Sequence, residues 1–301
     1  MQPVRALLGQ SQHLLISADG PLNLIPFAAL VDEHDRYLVE RYTITYLTSG
    51  RDLLRLQVAR ESKSPPLVVA DPAFGEPAMV ASRREGPQAN VASRSEAGRS
   101  TAEVDYSQIF FGPLPGVGDE VRALRELLPQ ATFLTKEQAV EAALKGISAP
   151  SILHIATHGF FLEEQDGANN QSRAAASRGK EATRLGKWVA QVENPLLRSG
   201  LAMAGINQGR SGETDDGALT ALEAAGLDLW GTKLVVLSAC DTGISVVKSG
   251  DGVYGLRRSL VLAGAESQVM SLWPVSDRST SELVVGYYKR ACAGAGQRPA
   301  R

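Results

Sequence analysis

The chain has 301 residues, 44% hydrophobic and 21% charged, which are ordinary globular values and allow one large apolar core or two modest ones. A formal net charge of −2 argues against nucleic acid as a main partner, since a binder usually shows a basic face. No apolar run approaches the roughly 18 residues of a membrane span. The start, MQPVRALLGQSQHLL, lacks the apolar block and cleavage site of a signal peptide, and two cysteines do not make a disulfide framework. A cytoplasmic, reduced protein is expected, in which a lone thiol stays reactive.

In chain order, HLLISADGPLNLIPFAAL has two apolar runs around Asp19-Gly20, a hairpin signal. YLVERYTITYLTS reads as a strand and RDLLRLQVAR as a short helix. PPLVVADPAF is a short buried strand. The nearly apolar-free stretch about 82–105 is expected to be a flexible loop. VGDEVRALRELL places Val121, Leu124, Leu127 and Leu128 on one helical face. ATFLT is a strand and KEQAVEAALKGI a helix. SILHIATHGFF is a strand ending in His-Gly, and a second polar loop follows at about 163–187. SGLAMAG is a strand; ALTALEAAGLDLW is a helix with Leu219, Leu222, Ala225 and Leu229 on its buried face. TKLVVLSAC is a buried strand, GVYGLRRSLVLAG a helix, AESQVMSLW a strand stopped by Pro274, and SELVVGYYKR a helix.

This alternation predicts an α/β fold, a mostly parallel sheet with helices on both faces and an N-terminal β-hairpin. Strands covered on both sides read as continuous apolar runs, as LVVLSA and SILHIA do. In such sheets, catalytic groups collect at the carboxyl ends of strands.

His158 and Cys240 each stand at the carboxyl end of a predicted buried strand. Alone, a free cysteine is usually a small buried hydrophobe, and a strand-end histidine is usually just hydrogen-bonded. As a pair on one sheet edge, an imidazole favours the thiolate or relays its proton. Gly159 lets the backbone approach a substrate closely, and the amides of Gly159 and Cys240 can face a developing oxyanion. His154, four residues before His158, lies within the strand and reads as a packing or hydrogen-bonding histidine. A zinc site of His154, His158 and Cys240 has no obvious fourth ligand.

Asp241-Thr242-Gly243 matches the aspartic protease triplet, but that chemistry needs a second carboxylate and an all-β domain. Gly250-Asp251-Gly252-Val253-Tyr254-Gly255 matches a dinucleotide fingerprint but does not directly follow its strand, so it reads as a loop leading into a helix. Trp273 reads either as an apolar pocket wall or as a core-edge residue. Asp277 can supply charge to a specificity pocket, although a cap on the helix starting near Ser279 is the simpler reading.

Six ordered blocks, HLLISADGPLNLIPFAAL, YLVERYTITYLTSGRDLL, LHIATHGFF, NPLLRSGLAMAG, LVVLSACDTG and GVYGLRRSLVLAGAESQVMSLWPVSD, together resemble the CHAT domain from about Leu14 to Tyr288. CHAT domains are similar to caspases, separases and gingipains. The resemblance implies a three-layer α/β/α caspase-like fold, Cys240 as nucleophile and His158 as its partner. It also implies an oxyanion hole from the Gly159 and Cys240 amides, and no metal or organic cofactor. A cysteine endopeptidase acting on a protein or peptide is expected, as one domain over 1–290. The alternative is a catalytically silent scaffold in a signalling or defence complex. In many relatives a tetratricopeptide-repeat region precedes the domain and senses a partner; none is seen ahead of the domain here. The tail 291–301 is expected to be irregular, where the family usually continues with a further helix. Ser238, two before Cys240, is not acidic, so one route to a basic specificity pocket is missing.

Overall fold

The three apolar runs read as buried strands lie side by side at the centre of a parallel sheet. The computed structural model describes residues 7–18, 22, 25–47, 49–58, 60–76, 109–161, 195–197, 199–209, 215–238, 251–271 and 275–295. The strands of the central sheet are β3 (Leu67–Pro72), β4 (Thr132–Lys136), β5 (Ile152–Ala156), β9 (Leu234–Leu237) and β10 (Gln268–Met270), in the order β10-β9-β5-β3-β4 and all parallel. A smaller antiparallel sheet joins β6 (Gly159–Phe161), β7 (Ser199–Ala202) and β8 (Ala218–Thr220). The helices are α1 (Asp52–Leu56), α2 (Val117–Leu127), α3 (Glu141–Lys145), α4 (Ala221–Ala224), α5 (Asp251–Ala263) and α6 (Asp277–Ala295).

Alternation along each central strand sends side chains to two separate cores. Val69, Leu153, Ile155, Val235 and Leu237 join a cluster with Leu144 of α3, Ala221 of α4 and Leu256 and Leu260 of α5. Val68, Ala70, Ala156 and Val236 join another with Leu124 of α2 and Val284 and Tyr288 of α6. Helices therefore cover both faces, giving the three-layer α/β/α arrangement of a caspase-like fold. Each wholly buried aliphatic side chain contributes about 1.5–3 kcal/mol. Among the described residues, no helix is long and apolar enough to cross a membrane.

Four local expectations are corrected. The N-terminal hairpin does not form as a strand pair: β1 (His13–Ile16) pairs in parallel with β2 (Thr43–Tyr46), and Phe27–Ala29 is a 3-10 turn. Asp19-Gly20 itself lies outside the described residues, while Pro26, which has no N–H for a ladder, precedes that turn. ALTALEAAGLDLW is not one helix. Its first residues complete β8, and Thr220 then caps the one-turn α4 in a reciprocal capping box with Glu223. KEQAVEAALKGI is helical only over α3, since Lys136 has φ 53° and Val140 is extended. At the carboxyl end α6 continues to Ala295, through an Ala-rich stretch with high helix propensity, where irregular chain was expected. The predicted loops about 82–105 and 163–187 lie outside the described residues.

Candidate functional site

His158 lies two residues beyond the end of β5, where the chain leaves the central sheet for the smaller one. Two hydrogen bonds and the start of the next strand fix it there. The Thr157 hydroxyl donates to the Ala202 carbonyl, the Ala202 N–H donates to the His158 carbonyl at 2.8 Å, and Gly159 opens β6. The Ala202 N–H to His158 carbonyl bond flanks the Gly159–Leu201 pair, so Gly159 occupies a non-hydrogen-bonded position. That alternation directs the Gly159 N–H away from β7.

His158 as a residue is 8% exposed. Its ring centroid lies 5.2 Å from that of Phe74 and 5.7 Å from that of Phe111, and Phe160 adjoins Phe111 at 6.1 Å. His158 Nε2 lies 2.8 Å from the Gly112 carbonyl oxygen. A carbonyl only accepts, so Nε2 carries the hydrogen and Nδ1 is the basic nitrogen. No side-chain carboxylate or amide is needed to set this tautomer. The Gly112 carbonyl has no sequence signature, because a backbone oxygen is present at every residue.

β5 and β9 are adjacent and parallel, with Ile155 opposite Leu237. The last hydrogen bond of this pairing runs from the Ser238 N–H to the Ile155 carbonyl at 2.9 Å. His158 is three residues past Ile155, and Cys240 is three residues past Leu237. Cys240 and Trp273 lie outside the described residues. Asp277 begins α6, but the cap there is Ser276, whose Oγ accepts the Ser279 N–H at 3.2 Å. The Asp277 carboxylate instead accepts the N–H of Gly116, the residue before α2. It therefore secures the loop that carries Gly112, a role different from a cap on its own helix.

His154 is wholly buried on the α2/α6 face of the sheet. Its Nε2 lies 3.0 Å from Glu120 Oε1, and its Nδ1 lies 3.4 Å from the Tyr288 hydroxyl. His154 in β5 and His158 beyond it thus engage separate partners. Burial pushes the Tyr288 phenol far above its ordinary pKa, and the neighbouring Tyr287 and Glu120 add to the shift. Glu120, also wholly buried, was not singled out in the sequence. A signal existed: it stands four residues before Leu124 and three after Val117, a carboxylate on the stripe that α2 buries.

A family model described as the CHAT domain matches residues 1–301. The human (Homo sapiens) tetratricopeptide repeat protein 28 is 24% identical over 295 residues, covering 95% of this chain and 11% of the relative. Its mouse (Mus musculus) counterpart is 24% identical over 302 residues, with the same coverage. The chain spans only about a ninth of the length of these curated relatives.

Proposed function

The chain belongs to the CHAT family, which is related to the caspase-like cysteine peptidases, and on that premise we propose that it is a cysteine endopeptidase using Cys240 and His158. In this reading His158 Nδ1 takes the Cys240 proton, and the sulfur attacks the scissile carbonyl carbon. The oxyanion is held by the amides of Gly159 and Cys240. The intermediate collapses with the proton passing from His158 to the leaving amine. Water then attacks the thioester, His158 receives its proton, and the acid product leaves with the thiol restored.

The observation that carries this reading is the β5–β9 register, which ends with the Ile155–Leu237 pair and brings the strands leading to the two residues side by side. The Gly112 carbonyl supports it by presenting the correct tautomer. Trp273 and Asp277 are proposed to border the peptide site, Asp277 through the loop it holds. The substrate is a protein or peptide. A tetratricopeptide-repeat region or regulatory partner is proposed to control access, in line with the name of the curated relatives.

The test is cleavage of a peptide library by wild-type protein, Cys240→Ala and His158→Ala. Loss of about 10²–10⁴-fold in both variants is expected. Equal cleavage by all three overturns the assignment.

A second reading, a catalytically silent scaffold, is favoured by one observation: His158 is a buried residue whose ring packs beside Phe74 and Phe111. Thiol labelling separates the two. An active centre alkylates Cys240 much faster than the exposed Cys292, whereas a scaffold labels Cys240 no faster.

A further inference from the structure

Beneath the ends of β5 and β9 lies a polar group that the chemistry above does not use. Glu120, in the first turns of α2, accepts the Ser238 hydroxyl on Oε2 at 2.9 Å. Its Oε1 faces His154 Nε2 at 3.0 Å, and neither atom has an aligned hydrogen-bond partner among the described residues. With Nε2 protonated towards Glu120, Nδ1 accepts from the Tyr288 hydroxyl at 3.4 Å. Glu120, His154, Ser238 and Tyr288 are all buried.

One carboxylate therefore touches β5 and the chain that leaves β9. It meets β5 four residues before His158, and the chain beyond β9 two residues before Cys240. Its own helix begins five residues after Gly112, the group that orients the imidazole. Burying a carboxylate costs several kcal/mol before its partners offset it, and well-packed apolar replacements of such groups are often neutral or stabilising. Stability is thus a poor reason for Glu120 to be there. A hydrogen bond to the chain just beyond β9 and a close polar contact with His154 of β5, both made by one residue of α2, are a better one, because apolar packing leaves more freedom for small slides.

We propose that Glu120 is a positioning residue that, through Ser238 and His154, fixes the ends of β5 and β9 relative to each other and so sets the approach of the Cys240 sulfur to His158. The inference rests on the cysteine-peptidase reading and adds to it a residue from outside the dyad. Misplacement of reacting groups by about 1 Å costs on the order of 10²-fold, so a partial loosening is expected to cost about tenfold.

The test measures the alkylation rate of Cys240 by iodoacetamide against pH, with Cys292→Ser as background so that one thiol remains. Ser238→Ala, Ser238→Thr, Glu120→Gln and His158→Ala are compared, with circular dichroism and melting curves confirming the fold. Wild type is expected to react at pH 7 at least about tenfold faster than His158→Ala. Ser238→Ala and Glu120→Gln are expected to lose about tenfold, with the thiol pKa moving towards its ordinary value of about 8.5, while Ser238→Thr keeps the wild-type profile. Ser238→Ala deletes one hydroxyl and carries the test if Glu120→Gln fails to fold. Folded Ser238→Ala with the wild-type rate and pH profile overturns the inference and leaves the dyad standing. A wild-type thiol as slow as that of His158→Ala overturns the dyad reading itself.

Discussion

The two faces of the central sheet are built on different principles. On one, Val69, Leu153, Ile155, Val235 and Leu237 meet α3, α4 and α5 through apolar contacts. On the other, Val68, Ala70, Ala156 and Val236 share the space with His154, Glu120, Ser238 and Tyr288. The apolar face is bound by volume, and side chains of similar size can replace one another with modest loss. The mixed face adds polar contacts to its packing: Glu120 accepts the Ser238 hydroxyl and lies 3.0 Å from His154 Nε2. His158 lies on the mixed side, beside Phe74 and Phe111 of the same cluster. Both faces are buried cores, and the polar cluster of Glu120, His154, Ser238 and Tyr288 lies on the one beside His158.

The strongest attempt to break that comparison is Ile155→Ala, a truncation on the apolar face of the strand that leads to His158. It is expected to cost about 2–5 kcal/mol in denaturant unfolding. The alkylation rate of Cys240 per folded molecule is expected to stay at the wild-type level. A reactivity loss comparable to that of Ser238→Ala, with the fold intact, would remove the division between the faces.

A second buried carboxylate supplies a contrast away from the site. Glu141 is almost wholly buried, with Oε1 2.5 Å from Lys145 Nζ, and the same ammonium meets Asp215 at 3.1 Å and Glu223 at 3.0 Å. Burial, then the charges of Glu223 and Asp215, raise the Glu141 pKa to about 7 against the pull of Lys145. The folded state therefore holds this proton more tightly than the unfolded chain does. That contribution is fully present below about pH 4.5 and is lost as pH rises through about 7. Glu141→Gln, neutral throughout, is expected to flatten the fall in stability between pH 5 and 8 by about 1–3 kcal/mol. Parallel stability curves for variant and wild type would show that Glu141 titrates normally. Cys240 reactivity is expected to be untouched by this change.

The smallest effect is expected from Tyr288→Phe, which removes the far end of the polar chain. The 3.4 Å contact to His154 is a long one, so about 0.5–1 kcal/mol is expected in unfolding, with alkylation changed less than by Ser238→Ala. A larger reactivity loss than that of Ser238→Ala would shift the positioning role from Glu120 towards α6.

Much of the layered order was legible in the residues because its causes are local. LVVADP, ILHIA and LVVL are short apolar runs, and VGDEVRALREL has an amphipathic period, so their types follow from side-chain spacing. Where local signals conflicted, tertiary context prevailed. Leu219 fits a helical stripe in sequence, yet it pairs with Leu201 as a strand residue, and Leu222 from the same predicted face is exposed. Asp19-Gly20 suggested a hairpin, but β1 found a parallel partner about thirty residues further along the chain.

By itself the sequence determined the alternation of elements, the family blocks and the two residues proposed for chemistry, since apolar period and residue type are written in neighbouring positions. Only the tertiary structure decided that β5 and β9 are neighbours, that the Gly112 carbonyl orients His158, and that Glu120 reaches β5 and the chain leaving β9. These depend on contacts between segments distant in the chain, and a backbone oxygen or a single buried carboxylate acquires its role from the partner that packing brings to it.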